Sequence, residues 1–126
     1  GPVSLACLSC HDGTIGIDVI TNPPNSSAAV SIGKTLAEIY PTGLDALKML
    51  GVDLRNDHPI AVTYDITKDV AFNAQATVEA AGLKFYGAAK NEVQCATCHN
   101  PHNKTYVPFL RRSNAGSALC LTCHIK

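Results

Sequence analysis

The chain has 126 residues, 46% of them apolar and 16% charged, and its ten basic and ten acidic side chains give a formal net charge of zero. Such a composition excludes a disordered tail and fits a single compact domain, expected to cover residues 1–126. With no basic stripe and few aromatic residues it excludes a nucleic-acid surface, and no apolar run approaches the roughly 18 residues of a membrane-spanning helix.

In chain order, the first feature is CLSCH at residues 7–11. Residues 21–30, TNPPNSSAAV, are rich in Asn, Pro and Ser and read as a surface loop; Asn25-Ser26-Ser27 alone is a weak glycosylation signal. Residues 31–40, SIGKTLAEIY, place Ile32, Leu36, Ile39 and Tyr40 at helical spacing ahead of Pro41, which predicts a short helix. Its GKT is not a phosphate-binding loop, because that motif needs glycine at position 28, where alanine stands. A second short helix is expected over 43–51, GLDALKMLG, with glycine at its end. RNDHPI then sets His58 in a turn stiffened by Pro59, and IAVTYDI, 60–66, is the best strand candidate. CATCH follows at 95–99, with Pro101 and His102 directly after it. SNAGSALCLTCH reads as a turn leading into a helix that carries CLTCH, 120–124. The expected fold class is mostly irregular coil with short α-helices and little β-structure.

The three five-residue words contain all six cysteines, Cys7, Cys10, Cys95, Cys98, Cys120 and Cys123, and three of the five histidines, His11, His99 and His124. C-x-x-C-H is the attachment signal of c-type haem. Two thiols add to the vinyl groups of the macrocycle, and the adjoining histidine becomes an axial ligand of the iron. One helical turn suits this chemistry because it brings both sulfurs to one edge with the imidazole beneath the metal. Zinc is the rival, since Cys95, Cys98, Cys120 and Cys123 form two C-x-x-C pairs at a ribbon-like separation. Zinc leaves Cys7 and Cys10 unexplained, however, and does not require a histidine after each pair. A thioredoxin-like redox site needs neither three copies nor the histidines. The expectation is three haem c groups, around which the coil-rich chain wraps, and an apo chain that does not fold.

Three irons need six axial ligands. His11, His99 and His124 are the proximal ones by motif, which leaves His58 and His102 for distal positions. His102 cannot turn back onto the haem of His99, because three residues reach at most roughly 10 Å and the path would have to clear the macrocycle edge. Pro101 biases Asn100 away from helical geometry and so directs His102 toward a neighbouring haem. One distal position is then left over. Met49, the single methionine, is a candidate for it, although a methionine in DALKML also suits plain packing. The Gly1 amine, a lysine, an open position and a histidine from elsewhere are the alternatives.

CLSCHDGT, DLRNDHPI, CATCHNPHN and FLRRSNAGSALCLTCHIK together resemble the doubled C-x-x-C-H multihaem c-type cytochromes of metal-reducing and related anaerobic bacteria. The resemblance covers both ends and the histidine turn, about half of the chain. It implies extracytoplasmic electron transfer, with His58 and His102 as distal ligands, and it brings in relatives that polymerise into extracellular haem filaments. Family members commonly carry a further C-x-x-C-H-x-P-H unit ahead of the word at 7–11, which would supply a sixth histidine.

Charge bears on which kind of carrier this is. Each ferric haem c with two ionised propionates adds about −1. Soluble shuttles of this size are typically lysine-rich for steering toward partners, whereas this chain combines low charge with abundant Ala, Ser, Gly and Asn. That suits packing against copies of itself or other multihaem cytochromes by heterologous contact. The expected function is electron transfer as a subunit of an extracellular filament, not enzymatic catalysis. A soluble periplasmic carrier is the first alternative, and an enzyme or sensor using the haem without a second histidine is the alternative of another class.

Overall fold

A computed structural model describes residues 1–12, 14, 50 and 53–125. Met49, the loop expected at 21–30 and the helices expected at 31–40 and 43–51 lie outside the described residues. Among the described residues the element order is helix α1 (Pro2–His11), strand β1 (Val62–Thr63), helix α2 (Gln75–Ala80), strand β2 (Glu92–Val93), helix α3 (Cys95–Cys98), a 3-10 turn (Ala115–Ser117) and helix α4 (Cys120–Cys123). From residue 53 on, coil and turns connect the short elements, as the composition and motif spacing predicted. No helix among the described residues is long and apolar enough to cross a membrane.

The chain divides into two compact units, one of Gly1–Ser4 with Ile60–Lys126 and the other of Leu5–Pro59. In the first, β1 and β2 pair antiparallel with Val62 opposite Val93 and Thr63 opposite Glu92. The strand predicted over 60–66 shrinks to these two residues for local reasons. Ala61 takes a positive φ of 58°, and Asp65 opens a turn in which its Oδ1 accepts the Thr67 amide at 2.9 Å. The pairing still extends through Ala61 N–H to the Val93 carbonyl and Tyr64 N–H to the Asn91 carbonyl, both at 2.7 Å.

Tyr64, Val78, Leu83, Phe85 and Val93 form the buried core of this unit. Tyr64 stands between Phe72 and Phe85, with ring centroids at 5.0 and 4.8 Å, within the range of favourable tilted aromatic pairs. α2 contributes Val78, which is fully buried, and the apolar cluster continues onto Leu119 and Cys123. The core thus reaches the third attachment word. Ahead of β2, Tyr86 and Glu92 exchange backbone hydrogen bonds of 3.0 and 2.9 Å across a tight turn. Gly87 in that turn has φ +80°, and any Cβ there would run into the Glu92 carboxylate. Only glycine meets both conditions.

In the second unit, the C-terminal part of α1 carries the first word. Pro2 opens the helix, where a missing N–H costs nothing. The His11 carbonyl accepts the Leu50 amide at 2.9 Å, and Asp12 ends the segment by accepting the Thr14 amide and hydroxyl at 2.9 and 2.8 Å.

Candidate haem attachment sites

The second word occupies α3 and is the most thoroughly anchored. Gln94 precedes the helix in extended conformation and is almost wholly buried. Its amide donates to Thr97 Oγ1 at 2.9 Å, its Oε1 accepts the Ser4 amide at 3.0 Å, and its Nε2 donates to Glu92 Oε2 at 2.8 Å. Ser4 Oγ in turn accepts the Cys95 amide at 3.1 Å. The Gln94 and Cys95 amides at the start of this one-turn helix are thus satisfied by side chains, as a buried helix end requires.

At its other end α3 stops on His99, which is extended at φ −105°, ψ 145°. The chain then loops back against the word: Asn100 N–H donates to the Phe109 carbonyl at 2.7 Å and Arg111 N–H to the Cys98 carbonyl at 2.8 Å. Within this loop the Pro108 carbonyl lies 2.9 Å from His99 Nδ1. A carbonyl can only accept, so Nδ1 carries the proton and Nε2 keeps the lone pair that a metal needs. His58 repeats the arrangement, with Nδ1 2.9 Å from the Pro59 carbonyl. His102 is exposed, its amide donating to Asn100 Oδ1 at 3.2 Å in the turn that Pro101 occupies.

The third word occupies α4 and also ends on an extended histidine, His124 at φ −98°, ψ 135°. Its last carbonyls are gathered by a distant residue, since Asn73 Nδ2 donates to Leu121 and Thr122 at 3.3 and 3.1 Å, and the Asn73 amide donates to Cys123 at 2.8 Å. Tyr64 Oη donates to the Asn73 carbonyl at 2.7 Å and reaches that of Cys123 at 3.2 Å. Phe72 pairs with His124 through a backbone bridge and ring contact, centroids 4.9 Å apart.

The first word differs. His11 is still the last residue of a ten-residue helix, and it is exposed with Cys10, while Cys7 is half-buried. All three words nevertheless share a hydroxyl just ahead of the second cysteine. Ser9 Oγ donates to the Ala6 carbonyl at 2.7 Å, Thr122 Oγ1 to the Ala118 carbonyl at 2.8 Å, and Thr97 Oγ1 accepts from Gln94. Sequence reasoning passed over these hydroxyls, although CLSC, CATC and CLTC display them.

None of the six cysteines is joined in a disulfide. Burial pushes the Cys98 thiol up to about 11, with Cys123 and Cys120 adding to the effect and the Arg111 guanidinium opposing it. Burial, then the neighbouring Cys120, also raises Cys123. Among the described residues no group of three or more His, Cys, Asp or Glu side chains is arranged to hold a metal ion.

The residues fit covalent haem. Each cysteine pair lies one helical turn apart beside a histidine, and His99 presents Nε2. Around the two C-terminal words the apolar side chains Val107, Phe109, Leu121 and Ile125 stand 86%, 48%, 45% and 56% exposed, a surface a macrocycle would cover.

Residues 87–126, about a third of the chain, match the doubled CXXCH motif family. The match spans the second and third words and ends beyond His124; the first word lies outside it. No curated protein matches the chain. The doubled motif indicates covalently bound haem c and supports a multihaem c-type cytochrome, a family whose members generally transfer electrons rather than catalyse and typically lie outside the cytoplasm.

Proposed function

We propose that the chain holds three haem c groups, one at each word, and passes electrons among them as a subunit of an extracellular filament assembled from copies of itself. The observation that carries this reading is the threefold recurrence of a cysteine pair one helical turn apart with a histidine at the exit. Bound haem supplies a reversible one-electron iron couple.

The chain's own residues divide the work. Cys7 and Cys10, Cys95 and Cys98, and Cys120 and Cys123 would form the thioethers, while His11, His99 and His124 would be the proximal ligands. His58 and His102 would be distal ligands, with Met49 the candidate for the remaining position. The Pro108 and Pro59 carbonyls fix the tautomers of His99 and His58, so that these rings are ready for coordination rather than choosing it at binding. Irons ligated on both sides have no position for a reactant, which is why a carrier is favoured over an enzyme or sensor.

Low formal charge and exposed apolar side chains such as Val70, at 91%, support packing against other copies rather than free diffusion. Electron microscopy and size exclusion of the native holoprotein provide the test. Filaments or extended oligomers are expected; monomers alone at high concentration would contradict assembly and assign the chain as a soluble periplasmic carrier. A ferric spectrum that responds to cyanide would instead reveal an open iron and favour the sensor or enzyme.

A further inference from the structure

Arg111 is placed unusually for a cation. Its backbone is tied to the second word by the hydrogen bond from its amide to the Cys98 carbonyl, 2.8 Å. Its side chain turns back over the same helix, where Nε donates to the Ala96 carbonyl at 2.8 Å and Nη2 to Tyr86 Oη at 3.2 Å. Tyr86 Oη itself donates to the Ala96 carbonyl at 3.3 Å, so the three groups close into one half-buried network. Every acceptor in it is neutral. Among the described residues the guanidinium has no carboxylate partner; Glu92, at the start of β2, is engaged by Gln94 Nε2 at 2.8 Å. By contrast, Arg55 forms an exposed ion pair with Asp53 at 2.6 Å.

A guanidinium stays charged at any working pH. Hydrogen bonds to a carbonyl and a phenol hold it in place without cancelling its charge, and partial burial weakens solvent screening. Ala96 lies between Cys95 and Cys98, so the charge is fixed against the helix that would carry both thioethers of one haem.

We propose that Arg111 raises the reduction potential of the haem held by Cys95, Cys98 and His99, acting through its uncompensated charge; this rests on the haem reading of that word. Reduction adds one negative charge to the site, and a nearby fixed cation favours that state by Coulomb's law. The sign is unchanged if the guanidinium acts by pairing a propionate, since that removes a negative charge from the iron's surroundings. Arg111 is then a tuning residue and not a ligand. It gives one haem of the set a higher potential than its ligands alone would.

Potentiometric titration of the holoprotein, followed by visible absorbance, tests the proposal in Arg111→Gln, Arg111→Met, Arg111→Lys and Tyr86→Phe. Intact mass of each variant verifies that the haem load is unchanged. Both neutral variants should shift one component of the titration to lower potential, and the load makes either one sufficient if the other does not accumulate. Arg111→Lys, which keeps the charge, should stay near the parent curve, as should Tyr86→Phe. Superimposable curves for a fully loaded neutral variant would overturn the proposal, as would a shift in Arg111→Lys equal to that in Arg111→Gln. Parent protein whose mass shows no haem at Cys95 and Cys98 would overturn the haem reading itself, which is a different failure.

Discussion

Two of the three attachment words share a form that the third does not. At 95–99 and 120–124 the helix is a single turn, the histidine that follows is extended, and strands or loops from elsewhere bridge to it: Leu110 to His99 and Phe72 to His124. At 7–11 the same pattern of residue types ends a ten-residue helix, and His11 keeps helical conformation. The word C-x-x-C-H therefore specifies a helical turn and the position of three reactive groups, while the aim of the histidine is set by what the chain does next. The family match covers the words at 95–99 and 120–124 and leaves the one at 7–11 outside.

The comparison can be broken most severely at the cysteines. Replacing Cys95 and Cys98 by Ala should remove one haem from the intact mass and lower the thermal midpoint more than replacing Cys7 and Cys10, because α3 is joined to the buried Gln94, Ser4 and Thr97. Equal losses of stability from the two pairs would show that the anchoring is immaterial.

A smaller effect is expected from the shared hydroxyl. Thr97→Val leaves the buried Gln94 amide without its acceptor, which should cost about 2 kcal/mol in denaturant unfolding. Ser9→Ala, at an exposed position where the carbonyl can turn to water, should change stability by less than about 0.5 kcal/mol. Similar values for both would erase the distinction between the words.

The third word carries a pH signature. Burial, with a lesser contribution from Cys123, pushes the Tyr64 hydroxyl up to about 12. The folded state therefore holds this proton more tightly than the unfolded chain, whose tyrosines titrate near 10. Its contribution is fully present below about pH 10 and is lost as pH rises toward 12. Tyr64→Phe should remove this alkaline loss while costing about 1 kcal/mol at neutral pH from the carbonyls of Asn73 and Cys123 it no longer serves. An alkaline transition that persists unchanged in Tyr64→Phe would assign it to another group.

Much of the attachment chemistry was legible in the sequence, because a covalent bond to two vinyl groups and an iron demands residue types at fixed spacing. The coil-rich, short-helix fold followed from the same density of motifs. What surrounds each word was not legible. Pro108 serves His99 from nine residues on and Asn73 serves α4 from 48 and 49 residues away, and no local pattern marks either. The hydroxyl before each second cysteine was readable in principle, since it recurs in all three words. The strand over 60–66 was overdrawn because β-propensity was allowed to outweigh the positive φ at Ala61 and the turn chemistry of Asp65.

The central claim is that all three words, including the one outside the family match, carry haem. Intact mass spectrometry of the native chain, combined with a pyridine haemochrome assay, measures that number directly. Three haems per chain, reduced to two in Cys7→Ala with Cys10→Ala, is the predicted result. Two haems in the native chain with no change in that variant would contradict it.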